Sequence, residues 1–415
     1  MSLNPLSTYK GLAPSVYFLF IARTINSLGD FVYPLITMYL TLKLGMNENQ
    51  TGFFVTLAAI AAGPGVLLGG YLGDRIGRKN IIIGGQLFAS ILVLVSVFYI
   101  NTLTVAYLLI LSMFFMSVTR PIYNAMLIDL TQNDGERKSA FSLLYLGINI
   151  GIAIGPLVAG VFFEDYLKGV FIGISLCTFI STLLIILFVK ESRISNNTSE
   201  VISNSVESKN SFVVLFKRPI LFSFILLSIL NFFIYIQYSF SMPLQMNSLF
   251  DQKGPALYGS LMTVNAISVI VLTPILNSLT KKMLPILIIA IGALFYALGF
   301  GMFYVANIYF LISICTIIWT IGEIMVQTNL NVYIAKHSPA SHRGRFNGFL
   351  LFIGSLGYSL GPYIMGKYIN KFGVNLAWPL IFLIGIVYAL SMYVLYYVEK
   401  KSTHKKSLTN LKEHA

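Results

Sequence analysis

The stretch RKSAFSLLYLGINIGIAIGPLVAG, residues 137–160, returns in altered form as RGRFNGFLLFIGSLGYSLGPYIMG, residues 343–366. A single offset of 206 residues superimposes the two stretches without a gap and leaves six identical positions, four of which are glycine or proline. Coincidence does not readily give such a match. The repeat predicts that the chain consists of two related halves.

Apolar runs of about 20 residues, the length that crosses a bilayer as a helix, recur along the whole chain. The 415 residues are 56% hydrophobic and only 10% charged, too little charge to cover a soluble domain. We therefore predict an all-α membrane protein, with twelve transmembrane helices in two six-helix bundles related by a pseudo-two-fold axis. Reading apolar runs against turn residues places the spans at 14–42, 51–73, 80–101, 104–131, 138–163, 169–189, 219–245, 255–278, 283–305, 307–335, 344–368 and 374–398. Spans 1, 4, 7 and 10 are longer than a bilayer needs, so we expect them to tilt or bend.

A polar stretch rich in Ser and Asn, residues 191–215, divides the predicted spans six and six. It predicts a flexible cytoplasmic linker between an N-terminal bundle, 1–190, and a C-terminal bundle with a basic tail, 216–415. With both termini in the cytoplasm, 21 Lys and Arg residues lie in inner segments and 5 in outer loops, as the positive-inside rule requires. We expect a multi-pass protein of the cell membrane whose first span stays as an anchor. The net charge of +13 then needs no nucleic-acid partner.

Several classes of function have no support in the sequence. Cys177 and Cys315 lie in apolar spans, and the four histidines lie in a loop and the tail, so metal-ligand spacing is missing. A Walker A sequence and a Ser/His/Asp arrangement are also missing, so we expect neither an enzyme nor a cofactor. Many secondary transporters consist of two related halves, with the substrate site near the bilayer midplane between the halves.

The loop between spans 2 and 3 carries a glycine-rich, charged motif, GYLGDRIGRK at residues 70–79. It resembles motif A of the major facilitator superfamily, where this cluster latches the cytoplasmic gate. A loop that only sets topology would explain the basic residues but not the acid and the glycines. The gate residues that the resemblance implies are Gly70, Gly73, Asp74, Arg75, Gly77, Arg78 and Lys79. The second half keeps Lys281 and Lys282 but has Thr280 in place of the acid.

Span 5 contains GIAIGPLVAG, residues 151–160, which is similar to motif C of the antiporter branch of that superfamily. Small residues spaced by four let helices approach closely, and a proline permits bending. A general packing face is the alternative interpretation, since span 11 carries a copy. The resemblance implies an antiporter, with Gly151, Gly155, Pro156 and Gly160 as the motif residues.

Two further runs, RPIYNAMLID at 120–129 and TIGEI at 320–324, resemble multidrug/proton antiporters of the LmrP type. The layout agrees along the whole chain, but the local match is strong only in these patches. The arginine that drug antiporters carry early in span 4 is replaced by Leu111. An aspartate expected in span 7 is replaced by Ser239.

Ionisable groups at bilayer depth are costly and indicate function. Glu323 has no basic residue within its own span, and burial disfavours the charged form of an acid, so we expect it to bind and release a proton. A protonated Glu323 bonded to a neighbouring helix is the alternative. Asp30 is either a proton site or a static ion-pair partner of Arg23 or Arg120. Asp129 is a proton or gate residue, or a plain helix-end charge.

Polar and aromatic side chains on spans 1, 4, 7 and 10 are candidates for a substrate cavity, because these spans line the cavity in the superfamily. Aromatic and amide groups around one acid suit lipophilic cations. Many of the aromatics could instead face lipid or pack between helices. The candidate cavity residues are Arg23, Tyr33, Arg120, Tyr123, Asn124, Asn231, Tyr235, Gln237, Tyr238, Trp319 and Gln327.

The resemblance implies a proton-coupled exporter of lipophilic or cationic drugs that works by alternating access. A proton-coupled exporter of a defined metabolite, such as a sugar or an amino acid, is the alternative of the same class. A membrane sensor without transport is a remote third, disfavoured by Glu323 and Asp74. The expected partners are a small-molecule substrate, protons and the lipid bilayer, and we expect a monomer.

Overall fold

The computed structural model describes residues 11–29, 32–191, 215–216, 218–338 and 343–413, with the side chains of 32–34, 74, 134, 343–345, 347 and 402–413 outside the description. Every regular element in these residues is helical. The first seven helices, α1 to α7, are Pro14–Leu28, Val32–Met38, Glu48–Ile76, Arg78–Ser96, Thr104–Asp129, Asp134–Phe162 and Leu167–Phe188. The next seven, α8 to α14, are Pro219–Tyr235, Ser241–Phe250, Gly254–Thr280, Pro285–Gly301, Tyr309–His337, Arg343–Phe372 and Ala377–Glu413.

Of the four spans that we expected to tilt or bend, the seventh is interrupted by a turn, and the first is described only on either side of residues 30 and 31. The predicted first span is α1 and α2, followed by a π-helical turn at Tyr39–Lys43. The predicted seventh span is α8, a 3₁₀ turn at Ile236–Tyr238, and α9. Pro243 stands in the first turn of α9, where a missing N–H costs nothing. Spans 4 and 10 are the uninterrupted helices α5 and α12.

Ten stretches of the described residues are long and apolar enough to cross a membrane. This is two fewer than predicted. The predicted first span contains residues 30 and 31, which lie outside the described residues, so its two described pieces are too short to be included. Pro219–Thr280 forms one continuous stretch of 62 residues that contains two predicted spans. A crossing needs about 20 residues, so this stretch exceeds one passage.

Residue contacts divide the chain into two compact units. Unit 1 comprises Met1–Asn196, Ser239–Ile267 and Met365–Asn370, and unit 2 comprises the remainder. The division passes through α10 and α13 and therefore differs from the predicted bundles, whose bounds stay a prediction. Most of the predicted linker, residues 192–214, lies outside the described residues.

Unit 1 has a polar interior. Gln86 on α4 donates to the hydroxyl of Tyr123 on α5 at 2.8 Å, and Thr182 on α7 donates to the amide oxygen of Gln86 at 2.9 Å. Ser90 and Ser175 join α4 to α7 one turn away, with their hydroxyl oxygens 3.0 Å apart. Buried polar groups are costly unless paired, so this network favours one arrangement of α4, α5 and α7.

Unit 2 has an aromatic interior. The rings of Phe300 and Trp319 stack at 5.2 Å, and those of Phe303 and Trp378 stack at 4.7 Å. These rings bring α11, α12 and α14 together. Stacked aromatic pairs contribute about 0.5–1.5 kcal/mol each beyond the apolar area that they bury.

Candidate functional site

Glu323 lies in the middle of α12, half-buried, and faces the end of α8. The hydroxyl of Tyr235 donates to Oε1 of Glu323 at 2.9 Å. The interruption of the predicted seventh span begins at the next residue, Ile236, so the hydroxyl that reaches this acid comes from the last turn before the break. A carboxyl group with a hydroxyl partner at this depth can hold a proton or a negative charge.

Three aromatic rings of unit 2 form a group beside this acid. The ring of Tyr238 lies 5.0 Å from that of Tyr235 and 6.2 Å from that of Trp319, centroid to centroid. Trp319 is one helical turn before Glu323 and is only 1% exposed, whereas Tyr235 and Tyr238 are half-buried. Tyr235 and Tyr238 are therefore the more accessible rings of this group, and Trp319 packs against Tyr238 from the interior.

Three amide side chains predicted for the cavity have different environments. Asn231 is fully buried, and neither of its amide atoms has a hydrogen-bond partner among the described residues. Gln237 is also buried and donates to the carbonyl of Phe233 at 2.9 Å. Gln327 is half-buried, one turn beyond Glu323 on α12.

The candidates in unit 1 divide between the interior and the surface. Tyr123 is 2% exposed and belongs to the polar network, and the guanidinium of Arg23 lies over its ring at 5.4 Å. Arg120 and Asn124 are exposed. Asp30 lies outside the described residues, and the side chain of Tyr33 is not described. The alternatives for Asp30 therefore stay open.

The gate motif forms an ion pair with the end of α5. Arg78 binds the carboxylate of Asp129 and also donates to the carbonyl of Ala125. Gly77 has φ +105°, which favours glycine, and separates α3 from α4. Gly73 has no room for a side chain, since a Cβ there would lie 2.2 Å from Ile122. The side chain of Asp74 is outside the description.

The other basic residues of the motif have partners of their own. The guanidinium of Arg75 lies 4.3 Å from the ring of Tyr71. The backbone N–H of Lys79 donates to Oε1 of Glu191 at 3.1 Å, so this acid caps the start of α4. Sequence reasoning missed Glu191, although an acid directly after the sixth span is a signal that could have found it.

The antiporter motif on α6 uses its glycines as contact surfaces. A Cβ on Gly151 would lie 2.4 Å from Ser27, and one on Gly155 would lie 2.2 Å from the carbonyl oxygen of Leu28, so both glycines face α1. A Cβ on Gly160 would lie 2.2 Å from the carbonyl oxygen of Pro255 on α10. Small residues at this spacing let backbones approach closely.

Pro156 takes part in the same contact with α10. A Cβ on Gly259 would lie 2.2 Å from the carbonyl oxygen of Pro156, and the hydroxyl of Thr263 donates to the carbonyl of Ala153. Pro156 removes one donor within its helix, and α10 approaches beside it. Sequence reasoning missed Gly259 and Thr263, because nothing in the motif indicates which helix covers it.

The second copy of the repeat makes matching contacts on α13. A Cβ on Gly357 would lie 2.1 Å from the carbonyl oxygen of Ile229, and one on Gly361 would lie 2.6 Å from Ile236, next to α8. A Cβ on Gly366 would lie 2.4 Å from the carbonyl oxygen of Glu48 on α3.

A second polar cluster in unit 2 was not predicted. Nε2 of His337, the last residue of α12, lies 2.9 Å from Oε1 of Glu399 on α14. The hydroxyl of Tyr333 donates to the other oxygen of Glu399 at 3.2 Å. The sequence suggested that His337 lies in a loop, but it is the last residue of α12. Among the described residues no group of three His, Cys, Asp or Glu could hold a metal ion.

Replacing Tyr235 with Phe removes the hydroxyl that donates to Glu323 and leaves the ring in place. A hydrogen bond to a carboxylate favours its charged form by roughly 1.5–3 kcal/mol. We therefore expect the pH dependence of the protein's activity in proteoliposomes to change, because the carboxylate loses this stabilisation. Tyr238→Phe, which removes the hydroxyl from a neighbouring ring, is the matched control. Equal profiles for both variants would remove Tyr235 from the site.

Replacing Asp129 with Asn removes the countercharge of Arg78, whose side chain is only 18% exposed. We expect a loss of about 1.5–3 kcal/mol, the contribution of a hydrogen bond to a charged group, and a lower melting temperature in detergent. Asp165→Asn, which changes an exposed acid after the end of α6, is the control and should leave the melting temperature unchanged. If the two variants have the same melting temperature, the ion pair does not stabilise unit 1.

Comparison with known structures identifies the fold. The nucleoside transporter NupG superposes with a TM-score of 0.78 at 16% identity, covering 92% of this chain and 100% of that chain. A POT family transporter in complex with a thioalcohol-conjugated peptide gives a TM-score of 0.73 at 14% identity. The match covers 95% of this chain and 99% of that chain. At these identities the likeness shows the fold alone.

Comparison of sequences identifies the family. Two uncharacterized MFS-type transporters of Bacillus subtilis (strain 168), YqjV and YttB, are each 26% identical to this chain. The match to YqjV covers 82% of this chain and 83% of YqjV, and the match to YttB covers 91% of this chain and 94% of YttB. A Na⁺, Li⁺, K⁺/H⁺ antiporter of Planococcus maritimus is 22% identical over 80% of this chain and 83% of its own length. The Major Facilitator Superfamily profile matches residues 19–362 and, a second time, 252–414. This membrane protein is a secondary transporter rather than an enzyme, and it belongs to the Major Facilitator Superfamily.

Proposed function

We propose that this protein exports lipophilic or cationic compounds in exchange for protons, by alternating access. The observation that carries the proposal is the environment of Glu323, an acid in a membrane-spanning helix that accepts a hydrogen bond from Tyr235. Tyr238 lies beside Tyr235, so an acid and two aromatic rings lie together. Cation–π contacts in a desolvated site contribute about 2 kcal/mol, and the carboxylate adds charge attraction.

In the proposed cycle, Glu323 takes a proton from the outside, and the loss of its charge shifts the two halves toward the inward-facing state. Release of the proton to the cytoplasm restores the charge, to which a cationic substrate is attracted. Substrate and proton thus compete for one acid. Such competition couples export of the substrate to proton influx.

The repeat supports an architecture of twelve spans in two halves with a pseudo-two-fold axis. Gly151 and Gly155 approach α1, just as Gly357 and Gly361 approach α8, the corresponding helix of the second half. The 62-residue stretch provides two passages and α1 with α2 one, which brings ten candidates to twelve. We propose division into 1–190 and 216–415, cytoplasmic termini, a location in the cell membrane, and a monomer.

The motifs support the gate and the antiport. The ion pair of Arg78 with Asp129 ties the motif loop to α5, which would hold the cytoplasmic end of the first half together as the gate opens and closes. Glu323 serves as the main proton site, while Asp129 belongs to the gate. We retain Asp30 as a second proton site or ion-pair partner.

One observation favours a second candidate function, exchange of monovalent cations for protons. The Planococcus maritimus relative is named for exchange of Na⁺, Li⁺ and K⁺ with H⁺. Export of a defined metabolite, such as a sugar or an amino acid, is the third candidate.

The test uses purified protein in proteoliposomes with an imposed pH gradient and a pH-sensitive dye inside. Ethidium, sodium chloride, potassium chloride, a sugar and an amino acid are added in separate runs. Proton flux in response to ethidium supports the drug antiporter. Flux in response to sodium or potassium alone moves the function to cation exchange, and flux only with a sugar or an amino acid moves it to the metabolite exporter.

A further inference from the structure

An apolar groove of about 480 Å³ runs along unit 1 between α6 and α7. We call it the α6–α7 groove. Its floor includes Leu28 of α1, beside the antiporter motif. Its walls include Ile154, Val158 and Phe162 of α6, and Gly169, Gly173 and Cys177 of α7.

The groove exists because α7 lacks side chains along one line. Gly169, Gly173 and Cys177 are spaced by four residues and so share one face of the helix. A Cβ on Gly173 would meet no atom within 4 Å, and one on Gly169 would meet only Tyr166 at 3.8 Å. Neither glycine is required by a close helix contact. Both leave space in front of them.

The groove lies at the depth of one lipid leaflet. Both α6 and α7 are candidate membrane spans, and α7 begins at Leu167. The nine residues from Gly169 to Cys177 are eight helical steps and cover about 12 Å along the helix axis. One leaflet contributes about 15 Å, half of the hydrocarbon thickness. The groove therefore runs from the membrane boundary nearly to the bilayer midplane.

The end of the groove at this boundary has the residues of a lipid interface. Tyr166 is 65% exposed beside it, and aromatic residues of this kind gather at headgroup depth. Lys168 is exposed in the first turn of α7. Of the acids in the preceding turn, Glu164 is held by Lys43 at 2.5 Å. Asp165 is exposed, as is Lys168, which directly precedes Gly169 of the groove wall. The ammonium group of Lys168 can therefore meet the phosphate of a phospholipid headgroup.

We propose that the α6–α7 groove binds one acyl chain of a phospholipid, from the leaflet on the side of the α6–α7 turn. An empty groove forfeits dispersion contacts along its walls, and a polar occupant would leave its own polar groups unsatisfied there. A hydrocarbon chain satisfies both conditions and has the required length. The proposal does not depend on which substrate the protein transports.

The first test counts bound lipid by native mass spectrometry of protein purified in mild detergent. Gly173→Phe fills the groove from a position with free space, so its fold should be retained. Gly84→Phe on α4, another glycine whose Cβ would meet no atom within 4 Å, is the matched control. We expect the wild type and Gly84→Phe to retain one phospholipid more than Gly173→Phe. Equal counts for all three proteins would overturn the proposal.

The second test is independent of the variants. Wild-type protein is reconstituted with a phosphatidylcholine that carries a diazirine in the middle of one chain, irradiated and digested. Labelling concentrated in residues 154–177 and competed by unlabelled phosphatidylcholine supports the site. Labelling spread evenly over the membrane-facing helices overturns it. Labelling competed by ethidium but not by phosphatidylcholine also overturns it and assigns the groove to a lipophilic substrate.

Discussion

Replacing Glu323 with Gln abolishes proton-coupled transport in proteoliposomes, because an amide of the same shape cannot bind and release a proton. The variant keeps a hydrogen-bond acceptor for Tyr235, so the local structure should persist. We expect proton flux in response to ethidium to fall to the level of liposomes without protein. Binding of ethidium should weaken as well, since the negative charge is lost. Flux and fluorescence measurements on one preparation distinguish these two effects.

The control for this variant is Glu164→Gln, which removes an acid from the ion pair with Lys43 rather than from the site. It should retain coupling, because exposed or half-exposed pairs contribute about 1 kcal/mol or less. Full coupling in Glu323→Gln would remove Glu323 as the proton site. The proton would then have to be carried elsewhere, with Asp30 as the next residue to replace.

Replacing Gly160 with Val prevents α6 from packing against α10, and we expect loss of folded, active protein. A Cβ at this position would lie 2.2 Å from the carbonyl oxygen of Pro255, closer than any real contact, and the obstacle is backbone. Added methylenes in a packed interior typically cost about 1–3 kcal/mol, and a clash with backbone lies at the upper end. Melting temperature in detergent and transport in proteoliposomes should fall together.

Gly84→Val is the matched control, since a Cβ there meets no atom within 4 Å. It introduces the same side chain into another membrane-spanning helix of unit 1, and it should melt and transport like the wild type. If Gly160→Val also behaves like the wild type, then α6 and α10 do not approach each other in the functional protein as they do here.

Much of the fold was predictable, because membrane-spanning helices depend on local sequence. Apolar runs of sufficient length predicted membrane-spanning helices along the whole chain, and motif glycines predicted close helix contacts. The partners of those contacts were not predictable. Gly160 meets Pro255, almost 100 residues away, and no local pattern specifies which helix covers which. The break between α8 and α9 was expected only as a bend, since its position depends on tertiary packing.

The candidate site was predictable in its types of residue rather than in its geometry. Glu323 was selected because an acid at bilayer depth is costly, and this argument uses the sequence alone. That Tyr235 donates to it, whereas Tyr123 lies in the interior of unit 1, follows from helix rotation, which apolar spans define poorly. The cluster of His337 with Glu399 was missed because both residues stand at the ends of spans.

Some glycines of the described residues touch the backbone of a neighbouring helix, whereas others have free space in front of them. This difference guides engineering of a more heat-resistant protein for crystallisation. Replacing glycine with alanine inside a helix usually stabilises by about 0.5–1 kcal/mol, because the unfolded chain loses freedom. Along α6 and α13 that substitution is barred wherever the glycine touches a neighbouring backbone. Gly84, Gly173 and Gly348, in contrast, have room for a methyl group. Alanine at these positions would therefore gain stability without contacting a neighbouring helix.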